Sequence, residues 1–68
     1  MEYVFEVVRE YDGGYCAECL SADIVTEGDS WKELCENIKE ATTAYCFDKP
    51  MPKTIRLHMV HNEVLSCA

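Results

Sequence analysis

Thr26-Glu27-Gly28-Asp29-Ser30-Trp31-Lys32-Glu33 is the stretch on which the fold turns. It joins a tight turn, a helix cap and a helix start, and it follows a short run of strands. Ser30 is placed to accept from the backbone N–H of Glu33, and Glu33 is its N3 partner; together they make a capping box. Asp29 favours the positive end of the helix dipole. The spacing predicts a helix from Trp31 to about Cys46. At about 100° per residue, Trp31, Leu34, Cys35, Ile38, Ala41, Thr42, Tyr45 and Cys46 share one arc. Lys32, Glu33, Glu36, Lys39, Glu40 and Thr43 cover the other side. Phe47 falls on the polar side, so either the helix has ended there or Phe47 makes a contact. Pro50 and Pro52 prevent continuation.

Upstream, the pattern alternates. Met1 to Val8 reads as a strand with Tyr3, Phe5 and Val7 on one face and Val4, Glu6 and Val8 on the other. Asp12-Gly13-Gly14 is a turn whose glycines accept positive φ. Tyr15 to Leu20 returns, with Tyr15, Ala17 and Cys19 on one face and Cys16, Glu18 and Leu20 opposite. The small Ala17 and Cys19 leave room for a helix to approach. Ile24 to Thr26 is a brief third strand ended by Gly28. Beyond the helix, Thr54 to His61 alternates again: Ile55, Leu57 and Met59 face one way, Arg56, His58 and Val60 the other. His61-Asn62-Glu63 is read as a turn and Val64-Leu65 as a short extra strand. The order is β-β-β-α-β, an α+β fold in one domain, residues 1–68. A single helix covers one sheet face. The other then carries Val4, Glu6, Val8, Cys16, Glu18, Arg56, His58 and Val60, a half-apolar mixture suited to a partner or a second copy.

The chain has 68 residues, 49% of them hydrophobic, enough apolar content for a folded domain. At this length folding buries only about 60% of the unfolded surface, so association is expected to help stabilise the domain. Burying Val4, Val8 and Val60 between copies is the expected route, in a dimer or higher homo-oligomer. No apolar run approaches the roughly 18 residues of a membrane span. Met1-Glu2-Tyr3-Val4 lacks a basic start and a small-residue cleavage site. With an odd count of 5 cysteines, reduced thiols in the cytoplasm are the expectation. Thirteen acidic and 6 basic residues leave a net charge of −7. That surface repels phosphate backbones, so direct nucleic-acid binding is not expected. It either serves solubility or attracts a basic partner.

No catalytic, metal or cofactor constellation emerges. Cys16-Ala17-Glu18-Cys19 is a C-x-x-C, but on a strand its thiols point to opposite faces. Redox pairs of this form need a helix N-terminus, and zinc needs more ligands at suitable spacing. Cys35 and Cys46 are about 16 Å apart along one helix, outside disulfide reach. Cys67 is a potential free thiol. His58 and His61, at an odd spacing on a strand, do not share a face. Tyr3, Phe5 and Tyr15 lie on the face assigned to the helix and read as core, not as a stacking platform for bases. Asn37, a poor helix former, is either tolerated at the edge of the apolar arc or ties the helix to the preceding loop.

Gly14, Tyr15 and Ala17, then Thr26, Gly28, Asp29, Ser30 and Glu33, then Asn37, Glu40 and Ala41 together resemble the HicB-like antitoxin family in order and spacing, over roughly residues 3 to 61. The resemblance implies a partial ribonuclease H-like fold, a sheet ordered 3-2-1-4 with one helix packed on it, and no nuclease carboxylate set. It places the strand at 53–61 in parallel beside the one at 1–8, with Ile55, Leu57 and Met59 meeting Trp31, Ile38 and Tyr45 under the helix. It also implies a partner: HicA, a small basic ribonuclease that cuts messenger RNA. Glu6, Glu18, Asp23 and Glu27 are the expected contacts with that toxin. The alternative is an orphan HicB-like homo-oligomeric module with no toxin. Two departures stand out. The chain ends at Ala68 without the DNA-binding domain many members add, so autoregulation through DNA is not expected. Leu20-Ser21-Ala22-Asp23-Ile24 also lacks the Pro-Gly usual in the family between strands two and three.

Overall fold

In the computed structural model, which describes residues 1–60 and 65–67, four strands and one helix follow in the order β1 (Glu2–Arg9), β2 (Tyr15–Cys19), β3 (Val25–Gly28), α1 (Trp31–Tyr45), β4 (Thr54–Val60). They form one mixed sheet ordered β3-β2-β1-β4. β1 and β2 make a hairpin, closed by Glu10 to Gly14 with Gly13 at φ +99°, a conformation glycine adopts without steric cost. β2 pairs antiparallel with β3, placing Tyr15 opposite Gly28. After the helix, β4 returns parallel to β1, with Tyr3 beside Ile55 and Phe5 beside Leu57. A parallel neighbour needs such a crossover, because a tight turn cannot reverse the chain twice.

The alternation sorts the faces as expected. Tyr3, Phe5, Val7, Ala17 and Cys19 are buried under Leu34, Ile38 and Cys46 of the helix side, with Ile24 closing the cluster. Ile24 precedes β3, which runs two residues further than the sequence pattern indicates. Ser30 caps the helix, its Oγ accepting from the Glu33 N–H at 3.1 Å. The helix ends at Tyr45, so Phe47 lies past it and is exposed. Tyr3 Oη and Cys46 Sγ lie 3.6 Å apart across the core. That contact and burial push the Tyr3 phenol up to about 12.

The helix does not lie centrally. It approaches β3 and β2 most closely and stays away from β4. Two features set this lateral position. Gly28 has no side chain, and a Cβ there would stand 2.5 Å from the Leu34 nitrogen. Asn37 Nδ2 donates to the Glu27 carbonyl at 2.7 Å, so the amide does tie the helix to the strand before it. The expected layer under the helix is therefore corrected at both ends. Ile55 and Leu57 pack against the core beside Tyr45, but Met59 is 45% exposed. Trp31 is 43% exposed and sits edge-on to Tyr15, ring centroids 5.6 Å apart, instead of reaching β4.

The expected turn at His61-Asn62-Glu63 lies outside the described residues, as does Val64 of the expected extra strand; Leu65 is exposed and not in a strand. Among the described residues no helix is long and apolar enough to cross a membrane.

Candidate functional site

The register builds the open sheet face row by row. Glu18 stands opposite Glu6 across β1 and β2, Glu6 stands beside His58 of β4, and Val25 continues the row past Glu18. The next row runs Glu27, Cys16, Val8, Val60. Three of the four expected toxin contacts, Glu6, Glu18 and Glu27, thus share one face. Asp23 is exposed in the bend before β3, at the other end of that strand. Like charges directly opposite on a sheet are destabilising, so the Glu6–Glu18 pair is a feature that packing alone does not call for.

The expected self-association valines lie on the same face. Val8 and Val60 share a row, while Val4 stands beside Arg56. The Glu6–Glu18 row runs between them, so the three do not form one apolar patch. Val4 and Val60 are half-buried and Val8 is 38% exposed.

Electrostatics divides this face. Near β4, Arg56 grips Glu2: Nε donates to Oε1 at 3.1 Å, a second guanidinium nitrogen donates to Oε2 at 3.4 Å, and Thr54 Oγ1 adds a bond at 3.1 Å. These bonds hold the Glu2 carboxyl below its ordinary value. Towards β3 no cation intervenes among the described residues. Cys16 is half-buried there, and its thiol is pushed up by burial and then by the charges of Glu10, Glu27 and Glu18. Those carboxylates therefore act on one spot. Cys16 is held as a thiol, and Cys19 is buried on the opposite face, so the C-x-x-C is built as two separate side chains.

A cleft of about 460 Å³ opens at the same end of the sheet, lined by Glu10, Tyr11, Asp12, Tyr15, Glu27 and Asp29 with two glycines. Sequence reading missed it as a unit. Asp12 and Asp29 each read as a local turn or cap residue, and only the Tyr15–Gly28 pairing brings the two loops together. Asp12 accepts from the Gly14 N–H at 3.2 Å. Among the described residues no cluster of three or more His, Cys, Asp or Glu is placed to hold a metal ion.

From Glu2 to Asp29 the chain carries eight carboxylates against one cation, Arg9. From Lys49 to Val60 it carries three cations, Lys49, Lys53 and Arg56, and no carboxylate. What the arrangement offers is a field: an acidic face and rim at β2–β3, suited to desolvated contact with lysine and arginine side chains.

No protein-family model matches this chain, and no solved structure matches it. A UPF0150 protein of Thermotoga maritima is 37% identical over 65 residues, a match spanning 96% of this chain and 91% of the relative. With that identity sustained from end to end, the chain belongs to the UPF0150 family.

Proposed function

We propose that this protein is an antitoxin of HicB type that binds a small basic HicA-type ribonuclease and masks its RNA-binding surface. The observation that carries the reading is the Glu6–Glu18 row with Glu27 beside it on an open sheet face. Opposed carboxylates cost the free protein stability, and a partner's lysines and arginines would relieve that cost on binding. The carboxylates would stand where RNA phosphates otherwise lie. Asp23 and the cleft carboxylates Glu10, Asp12 and Asp29 extend the same charge around the rim. A net charge of −7 speeds encounter with a basic partner. The order and spacing of the HicB-like motifs support a HicA-type ribonuclease as that partner.

The test is a ribonuclease assay with the cognate HicA-type toxin. Stoichiometric wild-type protein is expected to abolish cleavage of messenger RNA. The variant Glu6→Gln, Glu18→Gln, Asp23→Asn, Glu27→Gln is expected to need a large excess to do so. Removing one partner of a desolvated charge pair costs about 2–5 kcal/mol. A toxin left fully active by the wild-type protein would end the antitoxin reading.

A further inference from the structure

We infer that the outer edge of β4 is a self-association surface, pairing antiparallel with β4 of a second copy about a two-fold axis at Leu57. Three observations carry this. The first is the edge itself. Among the described residues β4 pairs only with β1. Its seven residues, Thr54–Val60, include no proline and no carboxylate, so most of the devices that blunt an exposed edge are missing.

The second is the position of the helix. Because α1 lies over β3 and β2, the helix-side residues of β4 are covered on one flank only. Ile55 and Leu57 are half-buried and Met59 is 45% exposed. Full overlap of two seven-residue strands puts the axis at the central residue. Leu57 then meets the partner's Leu57, and Ile55 meets the partner's Met59. That cross-strand ladder is apolar throughout on one face, and such pairs are the unit of sheet stabilisation.

The third is charge, which favours this edge over the others when two copies meet. Two acidic faces or two β3 edges would repel, since Asp23, Glu27 and Asp29 all lie in or next to β3. At β4 the charge is smaller: Arg56 is already paired with Glu2, which leaves Lys53 as the cation next to the strand. Pairing β4 with β3 of another copy would match charges, but β3 offers only four residues, and such a head-to-tail contact does not close. The symmetric arrangement closes as a dimer with a continuous eight-stranded sheet and leaves both acidic faces free.

The inference needs no toxin, so its failure and that of the antitoxin reading are distinguishable. The experiment is sedimentation equilibrium of the full chain in reductant, which removes any Cys67 crosslink, from submicromolar to tens of micromolar. The wild-type protein is expected to reach twice its 7.8 kDa. Met59→Lys, at an exposed side chain, is expected to weaken the dimer by about tenfold or more, while Val8→Lys on the open face leaves it intact. Amide exchange on the wild-type protein gives a readout that needs no variant: the alternate β4 amides that point away from β1 should gain protection as concentration rises. A monomer throughout, assemblies beyond the dimer, Met59→Lys equal to wild type, loss of the dimer in Val8→Lys, or β4 protection independent of concentration would each overturn the proposal.

Discussion

The β2–β3 side of this molecule and the β4 side share one sheet but differ in cover and in charge. On the first, the helix docks tightly, pinned at Gly28 and Asn37, and the reverse face and rim collect carboxylates. On the second, among the described residues, the helix stays away from β4, Lys49 to Val60 carry no carboxylate, and Met59 remains exposed on a strand paired only with β1. One helix cannot cover a four-stranded sheet. Where it settles decides which part of the sheet is left uncovered, and the two proposals made for those parts rest on the difference in charge between them.

The sharpest way to break this contrast is at the helix dock. Gly28→Ala would press a methyl group against the Leu34 backbone. It is expected to destabilise the protein by about 3 kcal/mol, the upper end for overpacking. Met59→Lys is expected to change monomer stability by no more than about 0.5 kcal/mol. Urea unfolding of the two variants, measured at concentrations too low for association, checks both. Equal costs would mean that the helix is not held where the geometry places it.

A smaller effect is expected at Asn37. Replacing it with alanine removes the bond to the Glu27 carbonyl and should cost about 1 kcal/mol. Alanine is also the better helix former, so a neutral result would mean that propensity offsets the lost bond. Amide exchange near Glu27 would then show whether β3 has loosened.

Glu18→Gln sharpens the comparison from the other side. It removes a like-charge pair with Glu6 and should stabilise the free protein by about 0.2–1 kcal/mol, while weakening toxin binding. Gain of stability with loss of binding is the signature of a functional compromise. A loss of both would mark Glu18 as structural.

The smallest effect concerns the thiols. Burial, and then the charges of Glu10, Glu27 and Glu18, hold Cys16 protonated to a higher pH. Cys67 is exposed. At mildly alkaline pH, alkylation followed by mass spectrometry should modify Cys67 well before Cys16. The Glu18→Gln variant should narrow the gap, because one charge opposing the thiolate is gone.

Much of the fold was legible because its signals are local. Alternation separated Tyr3, Phe5 and Val7 from Val4, Glu6 and Val8, and the capping box at Ser30 and Glu33 placed the helix start. Alternation tells which face is buried but not how far across that face a helix extends. Periodicity therefore places Met59 and Trp31 with the core, and both are exposed. The lateral position depends on Gly28 and on the acceptor of Asn37, ten residues away, and neither is readable before the strand and helix are docked. The acidic face was half legible. Glu6 and Glu18 followed from period two, Glu27 joined them only through the β2–β3 register, and the cleft needed two loops brought together by Tyr15 and Gly28.

The measurement that bears most directly on the central claim is the salt dependence of toxin affinity for the wild-type protein and for the variant Glu6→Gln, Glu18→Gln, Asp23→Asn, Glu27→Gln. Exposed charge pairs are screened over a Debye length of about 10 Å at 0.1 M salt. The wild-type affinity is expected to fall steeply as salt rises, and the variant to bind more weakly with a much flatter slope. Identical affinities and slopes would contradict an acidic face that recognises a basic ribonuclease.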